Sequence, residues 1–312
     1  MNIHTAADLN PAAIAAASIG HNSLAEWSSG HMPLAPYEPT HEIAATVAEI
    51  VTLHRLRQDM IRAQTKLSLQ GQAAIRFMFQ SDDDFANEEA KEKARKRTES
   101  LYKTIAADPA HELHSYVAPY LMAGKPLDEQ RAAYEKSLVK AARRLPIYNW
   151  VKSVKGFGDI SFATIVGECG DIGAYKSVSA VWKRLGLAVI DGNRQGAPGK
   201  SATADDWIAH GYNRQRRSVS WNARQHVIGG MGKWRPSFGE DVRCNRDLTY
   251  YQQVYAERAR YESEKLGLPV TESDKGKESY KMHAAMRAHR YTEKRLIKHL
   301  YLEWRRSPAL AA

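Results

Sequence analysis

The sequence predicts a mainly α fold, and three observations carry that prediction. Apolar residues recur at three- and four-residue spacing over several stretches too long for strands. One stretch runs from acids to bases along its length, as the helix dipole favours. Period-two alternation is nearly absent; "LGLAVI" (185–190) is the best strand candidate, and it is short. The order expected is a helical N-terminal region, a hairpin-bearing helical domain and a basic C-terminal helix.

Residues 1–44 are rich in Ala, Ser, Pro and His without any period, which reads as a disordered tail. From His41 the pattern turns helical: Ile43, Val47, Ile50, Val51, Leu53 or His54, Ile61 and Leu67 share one stripe. One long helix or a broken pair satisfies it. Residues 45–145 form a helical, coiled-coil-like region, able to pack or to zip with another copy, so a homo-oligomer is one expected assembly. Asp82, Asp83 and Asp84 cap the next helix, "NEEAKEKARKRTESLYKTI". Clustered on one run with Glu88 and Glu89, they read as a solvated face, because metal chemistry needs carboxylates converging from separate elements. A further helix ends near Pro146.

Residues 146–235 hold the hairpin-bearing domain and 236–312 a helical extension. "DGNRQGAPGKSATADD" is a Gly/Pro/Ser loop. "WIAHGYNRQRRSVSWNARQHVIGGM" returns to helix, another runs from Tyr250 to Leu266, "PVTESDKGKES" links, and 279–306 close the chain as a helix.

Charge divides unevenly: residues 1–140 sum to −3 and residues 141–312 to +13, within an overall +10 and a pI near 9.4. A basic half points to a polyanionic partner, most often nucleic acid, with a solvated basic surface as the plainer reading. A mean hydropathy of −0.53 and no long apolar run argue against membrane spanning. The first 50 residues lack Lys and Arg, against a secretory or transit leader, and the two cysteines, Cys169 and Cys244, form no CxxC pair and fit a reducing, cytoplasmic setting.

The hairpin is "VKGFGDIS". An apolar helix end, Gly156-Phe157-Gly158, then a small-residue helix beginning at Asp159, fits a helix-hairpin-helix element. There glycines let the backbone approach a phosphate while the next helix N-terminus offers unpaired N–H groups. Lys152 and Lys155 flank it. An ordinary helix–helix turn fits the same spacing.

The neighbouring residues resemble more. Val154 to Leu187, "VKGFGDISFATIVGECGDIGAYKSVSAVWKRLGL", is similar to the C-terminal domain of IS110/IS116/IS902-family transposases. Gly156-Phe157-Gly158, Glu168, Gly170-Asp171-Ile172, Tyr175, Ser177 and Gly186-Leu187 stand at that pattern's marked positions without a gap. "HGYNRQRRSVSWNARQ" resembles the family's basic helix. The resemblance implies a helix-hairpin-helix DNA-binding domain, transposition or recombination as the process, and a standalone relative from a phage or mobile element. It also implies a RuvC-like nuclease half with metal-binding acids, and residues 1–140 read instead as tail and helices. The family's serine nucleophile has Asn193 and Arg194 at its expected place; Ser201 is the nearest serine, several residues late. Mg²⁺ would be needed only by an active enzyme; otherwise no cofactor is expected.

Two further surfaces are basic. Arg214, Arg216, Arg217 and Arg224 interleave with Tyr212 and Trp221, either to bind phosphates and stack bases or as an amphipathic helix with Trp221 inside. Arg287, Arg290, Lys294, Lys298 and Arg305 fall within about 80° on a helix, a stripe for a phosphate backbone or a solvated outer face. His283, His289 and His299 lack metal-ligand spacing. The favoured expectation is a DNA-binding, transposase-like protein. The alternatives are an active serine-dependent recombinase and a structural or RNA-binding mobile-element protein.

Overall fold

The computed structural model describes residues 36–190, 192–196, 198–199, 201–233, 247–266 and 278–310. Cys244, most of the 1–44 tail and most of the "PVTESDKGKES" linker lie outside them. The described chain is mainly helical. In order come α1 (His41–Phe79), a 3₁₀ turn (Asp82–Phe85), α2 (Glu88–Ala107), α3 (His114–Ala142), α4 (Tyr148–Ser153) and α5 (Asp159–Cys169). There follow α6 (Val178–Arg184), β1 (Val189–Ile190), β2 (Asn193–Arg194), α7 (Ala204–His210), α8 (Arg214–Ile228), α9 (Tyr250–Lys265) and α10 (Glu278–Leu310). Among the described residues no helix is long and apolar enough to cross a membrane.

Several expectations shift. Helix α1 starts at His41, inside the stretch read as tail, and runs unbroken to Phe79. Tyr37, just before it, is anchored: its hydroxyl donates to Asp171 at 2.9 Å and accepts from Trp304 Nε1 at 2.9 Å. Only Val189–Ile190 of the strand candidate is extended, paired antiparallel with Asn193–Arg194. The single helix read from Trp207 to Met231 is two. Gly211 ends α7 in the left-handed region, and Asn213 caps α8 by accepting from the Arg216 N–H. Helix α9 ends within one residue of the expected Leu266, and α10 begins within one of 279.

The chain forms two compact units, residues 52–140 and residues 1–51 with 141–312. The smaller unit takes most of α1, with α2 and most of α3, around Ile75, Tyr102, Ile105 and Val117. Its Asp82–Phe85 turn is closed by Ser81 and by the Asp84–Arg97 ion pair at 2.8 Å. In the larger unit the stretches 146–235 and 236–312, read as separate, pack as one body. Helix α10 runs through it, burying Ala285, Ala288, Leu296, Ile297, Leu300, Tyr301 and Trp304, with α6, α8 and α9 packed on it. A chain of rings, Trp150–Phe157–Phe162–Trp304, each 6.2 Å from the next, ties the hairpin to that helix.

Candidate nucleic-acid interface

Helices α4 and α5 and the five residues between them make the hairpin. Helix α4 stops at Ser153 because Val154 turns extended and Gly156 takes φ +86°. The physical need for that glycine is packing. A Cβ there would lie 2.5 Å from the His226 carbonyl oxygen and 2.9 Å from Val227 Cα, so its bare backbone sits against the end of α8. Gly158 is ordinary: φ is −69° and nothing lies within 4 Å of a built Cβ. Phe157 is buried, filling the hairpin from below, and this corrects its reading as a DNA contact.

Asp159 opens α5 and is also engaged. Its Oδ2 accepts from Arg143 Nε at 3.0 Å and Nη2 at 2.6 Å, and its Oδ1 from the Tyr148 hydroxyl at 2.9 Å. A carboxylate at a helix N-terminus repels phosphate, so its contribution at this mouth is to hold Arg143, an exposed cation that spacing did not single out. Lys152 and Lys155 are exposed and have no ion pair among the described residues.

The arginines of α8 divide. Arg214 is exposed and has no ion pair among the described residues. Arg216 pairs with Glu168 at 3.4 Å. Arg217 clamps the fully buried Glu293 through both terminal nitrogens, the longer contact 3.0 Å. Arg224 is 1% exposed, 5.1 Å above the Trp221 ring, and burial pushes its guanidinium down to about 10. Arg217 and Arg224 are therefore structural in this fold. Their charges stay inside because Glu293, from α10, is the acid they share.

The α10 stripe is likewise half inside. Arg287 donates to Glu262 at 3.0 Å, Arg290 to the Ala188 carbonyl at 2.8 Å, and Arg305 to the Tyr301 hydroxyl at 2.9 Å. Lys294 lies 4.6 Å over the Trp182 ring. Burial pushes Arg290 down to about 10 and lowers Lys294 as well. Lys298 is half-buried beside them. The five do share an arc, but only Arg287 stays exposed; Arg290, Lys294, Lys298 and Arg305 are half-buried, because α10 is central to the unit.

Ser201 is exposed ahead of α7, and Thr203, not Ser201, caps that helix. Among the described residues Ser201 makes no hydrogen bond to a base or a cation. His289 stacks on Tyr255 at 4.7 Å, and His299 Nδ1 meets the Tyr251 hydroxyl at 2.8 Å. Burial holds the His299 imidazole well below its ordinary value of 6.5. Burial raises the Cys169 thiol to about 12, so it is an inert core residue. Among the described residues no three His, Cys, Asp or Glu side chains converge to hold a metal.

At the surface, Lys152, Lys155, Lys176, Lys183, Arg194 and Arg214 are exposed and have no ion pair among the described residues. In the larger unit the carboxylates of Glu49, Asp159, Glu168, Glu262, Glu264, Glu293 and Glu303 are all taken by arginines. Compared with known proteins, the chain matches no family model, no curated protein and no solved structure.

Proposed function

We propose that the protein binds DNA through the phosphate backbone, gripped at the α4–α5 hairpin by Lys152 and Lys155 with Arg143 beside them, and that it serves DNA transposition or recombination. The observation that carries the binding is the pairing pattern. Arginines take seven of the unit's carboxylates, Asp159 at the hairpin among them, and the exposed lysines of the hairpin have no ion pair among the described residues and flank the N-terminal end of α5, where backbone N–H groups have no helical partner. Contacts of this kind hold the duplex without reading its sequence. The transposition role rests on the resemblance of residues 154–187 alone. For a strand-cutting role, Ser201 has no hydrogen bond to a base or a cation among the described residues in its favour.

The test is a titration of the purified protein against labelled duplex, four-way-junction and single-stranded DNA at several salt concentrations, with and without magnesium, read on native and denaturing gels. The expected result is binding that weakens steeply with salt and leaves every strand intact. Absence of duplex and junction binding at low salt overturns the reading. Magnesium-dependent nicks, or protein attached covalently to a strand, would replace it with an active recombinase.

A further inference from the structure

A second feature of the larger unit lies on other helices. Between α9 and α10 opens a cleft of about 240 Å³ whose walls include Tyr250, Glu257, Arg258, Tyr261, Tyr291 and Arg295. Three tyrosines and two guanidinium groups in one small cleft are unusual for a plain helix–helix seam, where aliphatic side chains ordinarily meet.

The walls are held in place. Tyr250 packs on Tyr251 and His299, with ring centroids 5.0 and 5.7 Å away. The Arg258 guanidinium carbon lies 4.6 Å from the centres of both Tyr261 and Tyr291, so one planar cation is layered between two rings. Glu262 binds that arginine from behind and also takes Arg287. Tyr261 and Tyr291 remain 48% and 37% exposed, so ring surface is still open to solvent. Arg295 lines the same cleft, and no carboxylate pairs with it among the described residues.

Arg258 is already held by Glu262 and Glu257 adds a carboxylate to the wall, so Arg295 is the cation left for a ligand's negative charge and the open tyrosine faces are the surface left for a flat ring. An apolar ligand would leave Arg295 unanswered, and a bare inorganic anion would leave the tyrosine faces unused. We propose that this cleft takes one nucleotide of an unpaired strand, its base stacked on Tyr261 or Tyr291 and its phosphate on Arg295. A base inside a duplex already has both faces covered, so the site favours single strands. It stands apart from the hairpin, and the two would together let the protein seat a duplex beside a displaced strand.

The test uses the full chain, a labelled oligothymidine strand, a duplex of equal length, and adenosine monophosphate as competitor. Tyr261→Ala and Tyr291→Ala are each expected to weaken oligothymidine binding roughly tenfold, with the Phe replacements near wild type and duplex binding unchanged. Arg295→Gln weakens the strand and lowers its salt dependence. Thermal unfolding of each variant establishes that the fold is kept. Competition by the monophosphate identifies a site open to free nucleotides; strand binding without that competition identifies one that needs the polymer. Oligothymidine binding untouched by both tyrosine variants, or absent at low salt, overturns the proposal. Loss of duplex binding on changing Lys152 and Lys155, with strand binding intact, bears only on the hairpin.

Discussion

Gly156 shows how one residue type serves two arguments. The spacing Gly-Phe-Gly is compatible with a phosphate cradle, and the structure gives its first glycine a packing task against His226 and Val227. Gly156→Ala therefore combines a left-handed backbone with a steric clash, and should cost about 1–3 kcal/mol in urea unfolding. Gly158→Ser should stay within about 0.5 kcal/mol of wild type, because serine caps a helix at least as well as glycine and has room here. Equal losses at the two positions would contradict this assignment. Glu293 offers a second residue-scale test. It is fully buried and clamped by Arg217, with Arg224 close in charge, so Glu293→Gln strands guanidinium charge in the core. A loss of about 3–5 kcal/mol is expected in the same assay, the range for removing one partner of a buried pair. Neither role is legible in sequence. Arg217 and Arg224 look like any basic helix surface until α10 brings Glu293 to Arg217 and the fold buries Arg224.

Helix-scale features follow from local rules more faithfully. The α9 and α10 limits agree with the pattern to within a residue at their start or end, because caps and periodicity are properties of neighbouring residues. Thr249 and Asn213 are visible as caps, and Gly211 as a stop, once α7 and α8 are seen as two helices. The tyrosine face of α9, Tyr250, Val254, Arg258 and Tyr261 at helical spacing, was present in the sequence as a signal and carried no function until α10 supplied Tyr291 and Arg295. At this scale the hairpin makes a specific prediction. Lys152→Gln with Lys155→Gln should lower the slope of log affinity against log salt by about two while leaving stability unchanged. An unchanged slope would place the phosphate contacts elsewhere. The α9–α10 pair predicts a pH effect. The folded His299 imidazole, facing Tyr251, Tyr250, Arg295 and Lys298, resists protonation, whereas the unfolded chain accepts a proton near 6.5. The unfolded state then binds more protons as pH falls, so this contribution to stability is present above 6.5 and is lost below it. Melting temperature should decline as pH drops below that value, and His299→Gln should flatten the decline.

Across the molecule, the two units differ in what holds them. The larger is threaded by α10 and by the ring chain that ends at Trp304. The smaller buries few side chains and leaves Leu69, Phe77, Phe79, Phe85, Tyr116 and Met122 exposed. Native-state hydrogen exchange should therefore find amides of residues 52–140 opening at lower free energy than those around Phe162 and Ile165. Uniform protection across both units would contradict that ordering. The sequence by itself determined the helical class, the start or end of several long helices, and the concentration of positive charge after residue 140. These depend on periodicity, capping and composition, all local or additive quantities. Only the tertiary structure decided which cations are free. An arginine's exposure depends on what a distant helix brings to it: Glu293 of α10 draws Arg217 against the core, whereas Lys152 and Lys155 stay exposed with no ion pair among the described residues.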